Sequence, residues 1–259
     1  MANLLVVVPV YSQWEYAVAA VESLYRAADA AYFESSGEVD CVVFDDGSPD
    51  YDPAWERKLL AVDRRVSFVR YKDNAGMTRS WNSGLNLARA GGYHSCCLTN
   101  SDVLFAPNWD AHLRAAVSEA GGYALAGPVS NAPGHTTRHQ DVAKYLPDYR
   151  LSDAWTDLKA TAEALGARAP APVPSRLNGF CLMTRTELAW AHPFDRHHVL
   201  DPKCPMAGNE DRLQDRWAKA GLTFAVCPRS FVFHYRSVTR GDRFKKGRWM
   251  RRPAEATQE

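Results

Sequence analysis

Apolar runs of four to seven residues that each stop at polar or turn-forming residues limit most strongly what this chain can fold into. Residues 4–8, Leu4-Leu5-Val6-Val7-Val8, read as a strand buried on both faces, and an Ala-rich helical pattern follows over 16–30. A second strand over 39–44 ends at Asp45-Asp46-Gly47-Ser48-Pro49-Asp50. A third, over 66–71, leads into Asn74-Ala75-Gly76 and a helix over 77–90, and a fourth over 94–99 stops at Asn100-Ser101-Asp102. Strands alternating with helices predict an α/β domain built on a mostly parallel sheet. In such sheets ligands bind along the carboxyl edge, so these polar endings are read together as one crevice.

The later sequence predicts a helix over 107–120, a strand over 123–126 and a long Gly/Pro/His/Thr loop over 128–150, a length that points to function more than to simple connection. A helix over 154–165 precedes a proline-rich link over 169–174. Strands over 177–184, 223–226 and 231–234 and a helix over 209–220 complete the pattern, without internal repeats.

Hydrophobic residues make up 46% of the 259 and charged residues 24%, which excludes wholesale disorder and fibrous repeats. A net charge of +1 exerts no global pull toward nucleic acid or anionic membrane. Locally, Arg240, Arg243, Lys245, Lys246, Arg248, Arg251 and Arg252 face a single acid, Asp242, and are interleaved with Phe244 and Trp249. This tail suits solvent, or alternatively an anionic partner. The six cysteines form no CxxC pair, and four lie in apolar runs, so they read as reduced core residues. The first residues lack a basic region and carry Pro9, so they read as a strand and not a signal peptide, and no apolar run is long enough to span a bilayer. A cytoplasmic location is expected.

Each polar ending has a structural and a chemical reading. Asp45-Asp46-Gly47-Ser48 makes a plain turn, or its carboxylate accepts a base imide N–H. Asp102 caps a helix, or helps to hold Mg²⁺ or Mn²⁺ against a diphosphate, with His234 at the end of a late strand as a further ligand. Glu210 and Asp211 favour a helix N-terminus electrostatically, or one of them removes a proton from an acceptor hydroxyl.

Taken in order, Val8-Pro9-Val10-Tyr11, Asp45-Asp46-Gly47-Ser48, Asn100-Ser101-Asp102 and Asn209-Glu210-Asp211 resemble the family 2 glycosyltransferases, inverting enzymes of the GT-A fold. Asn74-Ala75-Gly76 with Asn82-Ser83-Gly84 is similar to the family's segment between its third and fourth strands, and the likeness covers roughly residues 3–235. It implies a single GT-A domain over 1–235, with a nucleotide-sugar half over 1–127, an acceptor half over 128–235, and a basic tail over 236–259. Pro9, Tyr11, Asp46, Asn74, Gly76 and Asp102 would serve the donor, a UDP-, dTDP- or GDP-sugar. Asp102 would hold the divalent metal together with His234. Asp211 would be the base, with Glu210 orienting the acceptor.

The chain departs from the family pattern at two places. Asn100 stands where the family's Asp-x-Asp has its first acid, which removes one charge and makes His234 more useful as a ligand. Gln214-Asp215-Arg216-Trp217 is one residue short of the processive synthases' Gln-x-x-Arg-Trp, so transfer of a single sugar is expected. The acceptor is not identified by the sequence; an anionic one suits the tail. The competing classes are a nucleotidyltransferase that makes a nucleotide sugar and a protein that only binds one. The first would ordinarily carry a Gly-rich, basic phosphate loop after the first strand, and Pro9-Val10-Tyr11-Ser12-Gln13-Trp14 is not such a loop. A dinucleotide-dependent oxidoreductase is disfavoured because no G-x-G-x-x-G follows that strand.

Overall fold

The computed structural model describes residues 3–30, 38–134, 138–147, 151–166, 168–173 and 176–236. The strands are β1 (Leu4–Val10), β2 (Val39–Asp45), β3 (Val66–Arg70), β4 (Ser95–Thr99), β5 (Val103–Phe105), β6 (Leu125–Val129), β7 (Ala171–Pro172), β8 (Cys181–Arg185) and β9 (Phe224–His234). The helices are α1 (Trp14–Ala30), α2 (Pro53–Leu60), α3 (Met77–Ala90), α4 (Trp109–Val117), α5 (Trp155–Leu165), α6 (Thr186–Ala191) and α7 (Asn209–Lys219). The strands form one sheet in the order β3-β2-β1-β4-β8-β6-β9-β5, and β7 also pairs with β9. Pairing is parallel from β3 through β4, antiparallel where β8 enters between β4 and β6, and parallel again between β6 and β9.

Strand alternation sorts the core into two layers. Leu4, Val6, Val8 and Val10 pack on the side of α1, with Leu59 of α2 and Leu113 of α4. Leu5 and Val7 face the other side, where Trp81 and Leu85 of α3 meet Leu213 and Trp217 of α7. The helices α3 and α7 therefore share a face, and their N-termini come together at the carboxyl edge of the sheet. Close approach of α3 to β1 depends on Gly84: a Cβ there would lie 2.3 Å from Val7 Cγ2.

Four expectations shift in detail. The helix expected from residue 107 starts at Trp109, after Asn108 in a left-handed conformation, because residues 103–105 form a strand too short to show periodicity. The strands expected at 223–226 and 231–234 are one, β9, whose register against β6 jumps from Pro128↔Cys227 to Val129↔Phe231. The three residues between, Pro228-Arg229-Ser230, form a bulge that carries the strand through although Pro228 donates no ladder bond. The proline-rich link supplies β7 at the sheet edge, with Pro174 outside the described residues. Helix α2 is new, although Asp52-Pro53 announces it: the Asp52 carboxylate accepts from Ala54 N at 2.7 Å and proline occupies the first turn.

The 128–150 loop contains two single-turn helices, Arg138–Gln140 and Val142–Lys144, and residues 135–137 and 148–150 of it lie outside the described residues. The basic tail from residue 237 onward lies outside them as well. The six cysteines are unpaired, and among the described residues no helix is long and apolar enough to cross a membrane.

Gly84→Ala tests the packing. In an unconstrained helix this change stabilises by about 1 kcal/mol, whereas here the clash with Val7 should destabilise by about 1–3 kcal/mol. A lowered denaturant midpoint is expected; an unchanged or raised one would show that α3 can lift from β1 without penalty.

Candidate active site

The site begins with the ends of β1 and β2. Asp46 follows β2, is 3% exposed, and accepts hydrogen bonds from Gly76 N at 2.6 Å, Ala75 N at 3.2 Å and Arg79 Nη2 at 2.5 Å. Arg79 also donates to Asp73 O and stacks its guanidinium 3.8 Å from the Tyr71 ring centroid. Asp46 thus fastens the start of α3 to β2. Its neighbour Asp45 does the same for the next turn, accepting from Ser48 N and Arg70 Nε.

The β1–α1 turn lies beside this, with Ser12 and Gln13 both at positive φ. Ser12 N donates to Ser48 Oγ at 2.8 Å, and Ser12 Oγ donates to Asp50 at 2.6 Å, so two bonds hold a strained turn. Tyr11, 40% exposed, and the exposed Asn74 flank the buried Asp46 and Gly76. Pro9 lies buried inside β1 opposite Phe44.

A second group lies at the ends of β4 and β9. The pairing of Val103 with His234 sets the last residue of β9 beside Asp102. His234 is 5% exposed; its Nδ1 lies 3.0 Å from Ala132 O, an arrangement in which Nδ1–H donates and Nε2 keeps its lone pair. Nε2 lies 3.3 Å from both Asp102 Oδ1 and the Asn100 amide nitrogen, which donates to it. An imidazole nitrogen and a carboxylate oxygen directed at one another suit a shared cation, and a backbone carbonyl on the far ring nitrogen is a common partner of a metal-bound histidine. The residues therefore fit a divalent cation held by Asp102 and His234. Among the described residues no cluster of three or more His, Cys, Asp or Glu exists, so the remaining ligands would come from substrate phosphate and water.

The third group is the first turn of α7. Phe180 links it to the second: its carbonyl accepts from Asn100 N at 2.9 Å, its ring stacks on His234, and the preceding Gly179 leaves room for the Glu210 carboxyl. The two acids of this turn face different surroundings. Burial pushes the Glu210 carboxyl above the ordinary glutamate range, and Asp211 adds to the effect while Arg176 opposes it. Oε2 of Glu210 is buried with no hydrogen-bond partner among the described residues. Asp211 is half exposed, 3.2 Å from Arg176 Nη1, and the same guanidinium forks onto Asp215.

That difference was legible as a pattern: Glu210, Leu213, Gln214 and Trp217 follow the i, i+3, i+4, i+7 spacing of an inward face, which puts Asp211 and Asp215 outside. Gln214-Asp215-Arg216-Trp217 is used for packing. Gln214 bonds both the N–H and the carbonyl of Leu177, Arg216 donates to Val199 O, and Trp217 donates to His192 O.

The sequence model of glycosyl transferase family 2 matches residues 5–169, well over half of the chain. The chain belongs to glycosyltransferase family 2. Its fold is the GT-A fold, in a single mixed α/β domain. No curated protein sequence matches it. Among solved structures it resembles GalNAc-T7 crystallised with UDP, GalNAc and Mn²⁺, at a TM-score of 0.64 and 15% identity over 90% of this chain and 44% of that one. It also resembles residues 1–349 of TarS from S. aureus, at a TM-score of 0.55 and 14% identity over 90% of this chain and 60% of that one. The transferase thus spans less than two thirds of the length of either relative.

The buried acid gives a pH-dependent prediction. Because its pKa is raised in the fold, Glu210 weakens the folded state as pH rises through the window between its unfolded and folded values. Glu210→Gln, which stays neutral, should raise the melting temperature by a few degrees at neutral pH, and the gain should vanish in acid once the wild-type carboxyl is protonated in both states. A gain independent of pH, or a loss, would contradict the assignment.

Proposed function

We propose that this transferase moves a single sugar from a nucleoside-diphosphate sugar to an acceptor hydroxyl with inversion at the anomeric carbon. The observation that supports it best is the meeting of Asn100, Asp102 and His234 within 3.3 Å at the carboxyl edge of the sheet, next to the carboxylates that open α7. The crystal form of GalNAc-T7 with UDP, GalNAc and Mn²⁺ supports a nucleotide-sugar donor by analogy of fold.

On this reading the nucleoside lies against Tyr11, Asn74 and the Asp46–Gly76 lock, with UDP-, dTDP- and GDP-sugars as the donors to screen. Pro9 contributes through the backbone path of β1. A divalent cation, Mn²⁺ or Mg²⁺, on Asp102 and His234 would offset the charge that develops on the departing diphosphate. Asp211, on the open side of α7, takes the acceptor's proton while the acceptor oxygen bonds to the anomeric carbon and the bond to the diphosphate breaks. Arg176, 3.2 Å from Asp211, pairs with that carboxylate beside the acceptor position. Glu210, seated against Gly179, orients the acceptor.

The acceptor side on this reading would draw on the described parts of residues 128–150 and on 197–208; the tail from residue 237 lies outside the described residues. The tail's charge favours an anionic acceptor, and the free cysteines suit a reducing, cytoplasmic setting.

Release of nucleoside diphosphate from a panel of nucleotide sugars with Mn²⁺ tests the proposal. Asp211→Asn should lower kcat by about 10²–10⁴-fold while calorimetry shows nearly unchanged nucleotide binding. If Asp211→Asn keeps its turnover and Glu210→Gln loses it, the buried acid is the base. Asp102→Ala should weaken donor binding and remove its Mn²⁺ dependence; an unchanged metal response would exclude Asp102 as a ligand. Absence of any nucleoside diphosphate from every donor would overturn the reading.

A further inference from the structure

Three parts of the chain meet at Thr78, which is 1% exposed in the first turn of α3. Its backbone N–H donates to Pro205 O at 3.0 Å, and its hydroxyl donates to Cys204 O. The same hydroxyl accepts from Asn209 Nδ2 at 2.6 Å. Asn209 is fully buried, and its Oδ1 accepts from Glu210 N at 2.6 Å. One hydroxyl therefore ties the residue that opens α7 to the helix whose start is pinned by Asp46.

The contact is close throughout. A Cβ at Gly76, which has φ of +90°, would lie 2.3 Å from Pro205 O, so the segment before α7 lies directly on the donor-side loop. One turn further along α3, Asn82 accepts from Val199 N and Leu200 N and donates to Leu200 O. The helix thus anchors both ends of the 199–209 segment, at Asn82 and at Thr78. Asp201, bonded to Arg212 at 2.6 Å, closes the loop onto α7 itself.

We infer that Thr78 is a positioning residue for transfer, its hydroxyl fixing the start of α7, and with it Glu210 and Asp211, relative to the donor pocket. The inference rests on the transferase reading above. Thr78 touches no substrate in this role and acts through Asn209. Replacing the hydroxyl by a methyl leaves the shape of the side chain but strands Asn209 Nδ2 and Cys204 O without partners, which frees the first turn of α7 to shift. A shift of about 1 Å in a catalytic group can lower turnover by about 100-fold.

The test compares Thr78→Val with Thr78→Ser in nucleoside diphosphate release from UDP-, dTDP- and GDP-sugars, with nucleoside diphosphate binding in Mn²⁺ measured in parallel by calorimetry. Thr78→Val should lower kcat by about 10- to 100-fold with KM for the donor and nucleotide affinity within about threefold, and Thr78→Ser should recover most of the turnover. Asn209→Ala breaks the same bond from the other side, and the double variant should lose no more than the larger single loss. Wild-type turnover in Thr78→Val, or equal losses in nucleotide affinity and turnover, would overturn the positioning role, as would strict additivity in the double variant. Failure of the wild-type protein to release any nucleoside diphosphate or to bind any would instead defeat the transferase reading, and the role of Thr78 with it.

Discussion

At the end of β2 the Asp46 carboxylate is almost wholly removed from water, and two backbone N–H groups and a guanidinium meet it there. An ionised carboxylate in such a place costs several kcal/mol unless its oxygens are paired, and here the partners all belong to one short segment. Satisfying Asp46 therefore fixes where α3 begins. Because α3 then carries Thr78 and Asn82 on one face, its start determines where the 199–209 segment lies and where α7 begins. The buried Asp46 carboxylate is thus linked through the start of α3 and the Thr78–Asn209 bond to the first turn of α7, which carries Glu210 and Asp211.

The neighbouring turn shows the same use of polar contacts to hold an unfavourable backbone. Two consecutive non-glycine residues at positive φ, Ser12 and Gln13, cost about 1–2 kcal/mol each, and the Ser48 and Asp50 side chains hold the turn in place. The turn ends β1 abruptly and leaves Tyr11 exposed next to the buried end of β2. A relaxed turn would carry the ring elsewhere. Strain in the first turn and a buried carboxylate in the second thus shape one surface between them.

Much of this was legible because strand endings are local. Asp46, Asn74, Gly76 and Asp102 follow apolar runs within a few residues, so a sheet with a polar carboxyl edge could be read from them, and helix α3 has the bounds its pattern gives. What could not be read is set by distance along the chain. The meeting of His234 with Asp102 was expected from its place at the end of a late strand, but its route through β5, a strand of three residues with no periodicity of its own, was not. The roles of Thr78, Asn82 and Gln214 depend on which backbone groups a remote segment brings opposite them, and nothing in their own neighbourhood announces that. Pro9 illustrates the converse: its motif is plain, but its side chain is packed inside β1 and only the strand's path reaches the crevice.

The sheet order also constrains how the site is divided. Strand β8, from the later half of the chain, pairs with β4 from the earlier half, and β9 pairs with β5 in the same way. The Asp102–His234 pair exists only when β9 has joined the sheet, so it cannot be assembled from residues 1–127 alone. Tyr235 strengthens the point: its N–H donates to Asp102 O at 2.9 Å and its hydroxyl to Asp153, closing β9 over the end of the donor half. The strand that completes the candidate metal site is also the one that leads out toward the basic tail. Strands from both halves of the chain alternate within one continuous sheet, so neither half has a sheet of its own.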